Sequence, residues 1–264
     1  MRPKLIATDI DGTLIGRDLV VTERTKRAFR RAHDAGIPIV MATGRMYRAT
    51  LPLARECAIT TPLITYQGAL IRDHQTQEEL WHRTIPMDLA HEALEALFAT
   101  KLHVNLYVDD ELLIERVTPE SELYCSIAKV EPRVVPSLAS GLTGEPTKIV
   151  AIGSVEDVQR WLPGLQEQFG DRLYVTESLP VFIEIANPTV SKSAALDHVA
   201  RRMGIQPAEI VAFGDGMNDL DMLQYAGLGV AMGNAPRAVK ERADRVTKPV
   251  SEDGLACVLE ELLN

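Results

Sequence analysis

Aromatic residues are scarce, 5% of 264 positions, too few for the stacking platform that binds single-stranded nucleic acid. Positive charge is also in deficit: 28 lysines and arginines face 37 aspartates and glutamates, for a formal charge of −9. Phosphate backbones and acidic membrane surfaces are bound through clustered positive charge, so neither a nucleic acid nor a membrane is an expected partner. The three cysteines, Cys57, Cys125 and Cys257, lie far apart without a CxxC pair. That argues against a disulfide framework or a structural zinc and makes the reducing cytoplasm the expected compartment. The histidines show neither HxH nor HExxH spacing, and the chain has neither GxGxxG nor a Walker lysine loop. Apolar runs such as 5–7 and 149–152 are far shorter than a bilayer-spanning helix. The opening Met1-Arg2-Pro3-Lys4 leads into one such run that meets Asp9, which does not read as a signal peptide. What is present is ordinary globular composition, 46% hydrophobic and 25% charged, with enough length for one large domain or two smaller ones.

Through the first 68 residues, strand-length apolar runs alternate with helical patterns. Residues 5–10, 37–43 and 62–66 read as strands. Residues 22–35 and 46–58 read as helices, the first with Thr22 as N-cap and Gly36 as its stop. Such alternation predicts right-handed parallel crossovers and a sheet covered on both faces. The rhythm breaks near Gln67-Gly68, where 69–72 and 79–82 flank a polar stretch and read as a hairpin. Beyond it come a helix (87–100), strands at 104–108 and 112–115 around Asp109-Asp110, and a Pro/Gly/Ser-rich stretch over 132–146. A strand (148–152), a helix (155–168) and strands at 173–176 and 181–185 complete an α+β segment. The first pattern then returns: helix 191–203 closed by Gly204, strand 210–213, helix 218–225, strand 227–231, and helices 236–243 and 255–263. The expected fold is α/β: a Rossmann-like, doubly wound, mostly parallel core built from 1–82 and 186–264, with 83–185 inserted as an α+β module.

The first strand runs into Asp9-Ile10-Asp11-Gly12-Thr13-Leu14. Ligands of open α/β sheets bind in the crevice at the carboxyl ends of strands. Two carboxylates at i and i+2 there repel each other unless a cation, a shared proton or a reacting group intervenes. A solvated Asp-Gly turn is the plainer alternative. The strand at 210–213 ends the same way, in Gly214-Asp215-Gly216-Met217-Asn218-Asp219. Acidic groups from two strand ends form a hard-oxygen site suited to Mg²⁺, which binds through a few carboxylates, water and substrate phosphate. Thr43-Gly44-Arg45 ends the second strand, where a hydroxyl and glycine-freed N–H groups can hold phosphate oxygens. Lys192 opens a helix, where a cation opposes the macrodipole and is unfavourable unless it serves an anion.

In order, DIDGTL, the Thr43-Gly44-Arg45 turn, Lys192 and GDGMND resemble the four motifs of the haloacid dehalogenase superfamily. The run Gly227-Leu228-Gly229-Val230-Ala231-Met232-Gly233-Asn234-Ala235, with Val239-Lys240, Ala243, Val246-Thr247 and Glu252-Asp253-Gly254, resembles its Cof-type hydrolase branch, which carries a type IIB cap. The resemblance implies a Rossmann-like core with an α+β cap that closes over the site and sets selectivity. It implies Asp9 as nucleophile and Asp11 as acid/base, with Thr43, Gly44, Lys192 and the Ile10 backbone at the phosphate. Asn218 resembles the substrate-contacting asparagine. Mg²⁺ is implied at Asp9, Asp215 and the Ile10–Asp11 segment, with Asp219 behind them or acting through water. Three positions depart from the common pattern: Gln67 where Asn precedes Gly68, Ser193 where Gly often follows the lysine, and Lys248-Pro249-Val250-Ser251 where Ser-Asn precedes Glu-Asp-Gly. None removes a catalytic group, and Gln67 borders the site. The implied activity is Mg²⁺-dependent hydrolysis of a small phosphomonoester, sugar phosphates first. A sugar phosphomutase and a non-enzymatic phospho-acceptor module are the alternatives, and the oligomeric state is left open.

Overall fold

A computed structural model describes residues 3–264. Met1 and Arg2, where the argument against a signal peptide begins, lie outside the described residues. The chain divides into two compact units: the part up to Trp81 together with Ser191–Asn264, and His82–Val190. Sequence pattern alone set the insertion at 83–185. The return segment extends it, because Asn187 Nδ2 donates to the Thr84 carbonyl at 2.8 Å.

The first unit opens with strand β1 (Leu5–Thr8) and helix α1 (Glu23–Asp34). Thr22 Oγ1 accepts from the Thr25 N–H at 3.2 Å and caps the helix. Glu23 in the first turn, and Arg31 and His33 in the last, match the macrodipole. Thr25, Ala28, Phe29 and Ala32 bury one face at helical spacing. Strand β2 (Ile39–Met41), helix α2 (Tyr47–Glu56) and strands β3 (Leu63–Thr65), β4 (Leu70–Arg72) and β5 (Glu79–His82) follow. β3, β4 and β5 form a small separate sheet.

The inserted unit contains helix α3 (Met87–Thr100), strands β6 (His103–Val108) and β7 (Glu111–Ile114), and helix α4 (Pro119–Ala128). Strand β8 (Arg133–Val134), helix α5 (Leu138–Gly141), strand β9 (Lys148–Ile152), helix α6 (Val155–Phe169) and strands β10 (Tyr174–Leu179) and β11 (Phe182–Ala186) complete it. Its strands pair in the order β10-β11-β9-β6-β7-β8. One face carries Val104, Leu106, Ile149, Ala151, Ile183 and Ile185 against Ala93, Leu97, Val158 and Phe169 of α3 and α6. Asn105, Tyr107, Lys148 and Glu184 alternate onto the other face, as the period of two requires. Asp109 and Asp110, both at positive φ (52° and 59°), make the tight turn between β6 and β7. Helix α4 has no counterpart in the sequence pattern. Its apolar spacing is weak, and it is held by a capping box between Thr118 and Ser121 with Pro119 at its first position.

The chain then returns to the first unit through helix α7 (Lys192–Arg202), strand β12 (Ile210–Gly214), helix α8 (Leu220–Tyr225) and strand β13 (Leu228–Ala231). Helix α9 (Arg237–Lys240), strand β14 (Arg245–Val246) and helix α10 (Gly254–Leu262) end it. The main sheet runs β14-β13-β12-β1-β2, every pair parallel. α9 is half the length its pattern suggests. The helix expected from 218 begins instead as a 3₁₀ turn at Met217–Asp219, for a reason that lies in the site. From β1 the sheet grows one way to β2 and the other way to β12, so the switch point lies between β1 and β12. Among the described residues, no helix is long and apolar enough to cross a membrane.

Candidate active site

Asp9 leaves β1 at that switch point and is buried, its N–H bonded to the Phe213 carbonyl of β12 at 3.0 Å. The next turn is tight: the Ile10 carbonyl accepts from Thr13, Leu14 and Ile15 at 3.3, 2.9 and 3.0 Å. Ile10 itself is buried, so it serves the site through its backbone. Gly12 has φ +83°, and a Cβ there would stand 2.2 Å from Asp215 Oδ2. Only glycine lets the first acidic loop approach the second.

Lys192, the first residue of α7, is fully buried and reaches both acidic strands. Its Nζ lies 2.6 Å from Asp9 Oδ1 and 2.6 Å from Asp219 Oδ1. Asp219 Oδ2 accepts from the Asp215 and Gly216 N–H groups at 2.9 and 2.8 Å. Those two bonds gather the loop after β12 into the 3₁₀ turn. They also leave Asp219 with both oxygens committed to the protein. Asp9, Asp215 and Asp219 offer oxygens within 4.8 Å of one another. Three carboxylates thus gather beside one ammonium that touches two of them, an excess of two formal negative charges.

The electrostatics follow from that crowding. Burial, and then the charge of Asp219, push the Asp9 carboxyl above the ordinary carboxylate range, against the pull of Lys192. Asp215 is raised to about 6 by burial and Asp219, opposed by Thr13, Lys192 and Asn234. Burial alone would lower the Lys192 ammonium, but Asp219 and Asp9 outweigh it and hold the group charged.

The remaining expected residues lie around this centre. Asp11 is exposed, and its carboxylate forms a bidentate pair with Arg45, Nε to Oδ2 at 2.7 Å and Nη2 to Oδ1 at 2.6 Å. Its side chain is therefore not part of the three-carboxylate group. Thr43 is buried at the end of β2, its Oγ1 accepting from the Arg45 N–H at 3.2 Å. Gly44 lies under Gln67, and exposed Asn218 donates from Nδ2 to Gln67 Oε1 at 3.0 Å. Two contributors had no role in the sequence reading. Thr13 Oγ1 donates to Asp215 Oδ1 at 3.2 Å. Asn234 Nδ2 donates to the Gly12 carbonyl and to Asp215 Oδ2 at 2.9 and 3.0 Å, while its Oδ1 accepts from the Val250 N–H at 2.9 Å. The signal for Asn234 was its position just past β13, at the same sheet edge as Asp215.

An open parallel sheet with an acidic cluster and one buried lysine at its switch point is a doubly wound α/β core with its charged groups where such folds bind ligands. The chain belongs to the haloacid dehalogenase-like hydrolases, whose family model matches residues 6–259. It is 32% identical to a putative phosphatase of Haemophilus influenzae over 99% of this chain and 98% of that one. It is 30% identical to the 5-amino-6-(5-phospho-D-ribitylamino)uracil phosphatase YitU of Bacillus subtilis, covering 98% and 97% of the two chains. A crystal structure of a haloacid dehalogenase-like hydrolase from Bacteroides thetaiotaomicron superposes with a TM-score of 0.92 at 28% identity, over 98% of this chain and 99% of that one. The chain is an enzyme of this hydrolase family, and the two sequence relatives named here carry phosphatase names, the first as a putative one.

Proposed function

We propose that this enzyme is a Mg²⁺-dependent phosphatase of small phosphorylated metabolites, sugar and polyol phosphates first, and that it acts through an aspartyl-phosphate on Asp9. The observation that carries the reading is Lys192, buried and 2.6 Å from both Asp9 and Asp219. A buried ammonium held beside a candidate nucleophile offsets the repulsion between a carboxylate and a phosphate dianion. The B. subtilis relative supports the substrate class, since its name gives its substrate a phosphorylated ribityl chain.

The donor set suits a small hard cation: three carboxylates, no nitrogen or sulfur ligand, and surplus negative charge. Asp9, Asp215 and the Asp11 backbone would hold it, with Asp219 orienting the Asp215–Gly216 backbone from behind. When bound, the ion supplies positive charge at the phosphoryl oxygens.

Asp9 attacks phosphorus in line, and the bond to the ester oxygen breaks. Thr43, Gly44 and Lys192 hold the phosphoryl oxygens. Asp11 gives a proton to the departing alkoxide, which leaves as the alcohol. To do so it must first release one Arg45 bond and take a proton from solvent on the freed oxygen, since both carboxylate oxygens accept from Arg45 at rest. Water then attacks phosphorus of the acyl phosphate and returns a proton to Asp11. The second bond cleavage frees inorganic phosphate and the Asp9 carboxylate. In this reading the His82–Val190 unit is the cap that selects the alcohol. The three unpaired cysteines are consistent with a cytoplasmic setting.

A screen over sugar phosphates, nucleotides, flavin mononucleotide, pyridoxal phosphate and p-nitrophenyl phosphate tests the reading. Release of inorganic phosphate with Mg²⁺, abolished by EDTA and independent of any sugar bisphosphate, is expected. Isomerised sugar phosphate without free phosphate would make the enzyme a mutase.

A further inference from the structure

Gln67 follows β3 with φ 59° and ψ 22°, a left-handed conformation that commits its backbone to a sharp turn. Its N–H donates to the Thr43 carbonyl at 2.9 Å, fixing it against the Thr43–Gly44 turn. The side chain lies directly over Gly44: a Cβ built there would stand 2.5 Å from Gln67 Nε2. Any larger residue at 44 would displace the amide. On its other side, Gln67 Oε1 accepts from Asn218 Nδ2 at 3.0 Å.

A carboxamide is planar, so committing its oxygen to Asn218 also fixes where its two N–H bonds point. No acceptor for Nε2 is found among the described residues. The amide is half-buried and its partner Asn218 is exposed, whereas Asp9 and Lys192 are buried. The free donor therefore sits at the rim of the site, outside the phosphoryl position and beside the phosphate-binding turn. On the phosphatase reading proposed above, the first atoms of the leaving alcohol pass this rim.

We infer that Gln67 is a specificity-determining residue whose Nε2 donates to a hydroxyl or carbonyl oxygen that the substrate carries next to its ester oxygen. The inference rests on the phosphatase reading and narrows it, from phosphomonoesters in general to those of polyols and sugars. A site built to donate to a substrate oxygen disfavours analogues that lack it, because the donor is then left unpaired.

The test compares ribitol 5-phosphate with n-pentyl phosphate, an ester of the same chain length without hydroxyls, using p-nitrophenyl phosphate as the common reference. Wild-type enzyme is expected to favour ribitol 5-phosphate in kcat/KM. Gln67→Leu should shrink that preference about tenfold, mainly through KM. Gln67→Asn keeps an amide one methylene shorter and is at ease in the left-handed region, so it folds and gives an intermediate preference. Equal losses on both alkyl esters would overturn the inference, because they would place the amide on the phosphoryl group. So would turnover of p-nitrophenyl phosphate with no preference between the alkyl esters, which leaves the phosphatase reading intact. Failure of the wild type on all three esters would overturn that reading and this inference with it.

Discussion

Each unit of this enzyme buries one lysine, and the two lysines are in opposite electrostatic situations. In the inserted unit, Lys148 is 6% exposed and faces one carboxylate, Glu184, at 3.4 Å. Its ammonium also lies 5.2 Å from the centre of the Tyr107 ring, whose hydroxyl is bonded to that of Tyr124. One positive and one negative group balance, and the cluster needs nothing more. In the core, Lys192 is fully buried against two carboxylates, Asp9 and Asp219, with a third, Asp215, close to both. There the charge does not balance. The difference separates structure from chemistry: a closed pair fixes a fold, whereas a surplus of buried negative charge is tolerable only where a cation or a proton offsets it.

The largest expected effect is the contrast between Lys192→Met and Lys148→Met, measured as turnover of p-nitrophenyl phosphate and as thermal unfolding. Lys192→Met should lower kcat by roughly a hundredfold or more, because Asp9 and Asp219 lose their shared counter-charge. Lys148→Met should instead cost about 3–5 kcal/mol of stability while changing kcat of the folded enzyme much less. Comparable losses of activity in both variants would break the contrast.

Metal titration sharpens it at a smaller scale. Asn234→Ala removes the amide that ties Asp215 to the Gly12 carbonyl. Mg²⁺ affinity measured by calorimetry should fall about tenfold, as is typical when a ligand loses its orienting partner. The same titration carries a pH signature. The Asp215 carboxyl is raised to about 6, so protons compete with the cation below that pH. Asp9, raised to about 8, competes in the same way, so affinity should level off only above that pH, fall by up to about tenfold per unit between pH 8 and 6, and fall more steeply below pH 6. In the metal-free protein the sign reverses. A carboxyl raised on folding binds its proton more tightly in the native state, so its contribution to stability is fully present below the ordinary value of 3.8 and is lost as pH rises through about 6.

Most of the core was legible because its signals are local. Thr22, Gly36 and Gly204 punctuate helices, and the apolar runs are long enough to read as strands. The acidic pairs stood out because two carboxylates at a strand end conflict with local electrostatics. What sequence pattern missed depends on distant partners or on weak periodicity. Helix α4 is set by its Thr118–Ser121 box and not by an apolar stripe. The 3₁₀ start before α8 arises because Asp219 turns back onto its own loop. Asn234 was visible as a residue, yet its role needs Gly12 and Asp215 beside it. The pairing of Asp11 with Arg45 joins two loops 34 positions apart, and no spacing rule relates them.

The central claim is that Asp9 is the group that receives the phosphoryl. Acid quenching of the enzyme during turnover of a radiolabelled phosphomonoester, followed by peptide mapping, tests it directly. Label is expected on the peptide containing Asp9, released by hydroxylamine as an acyl phosphate must be, and none in Asp9→Asn. Label on another residue, or full turnover by Asp9→Asn, would contradict it.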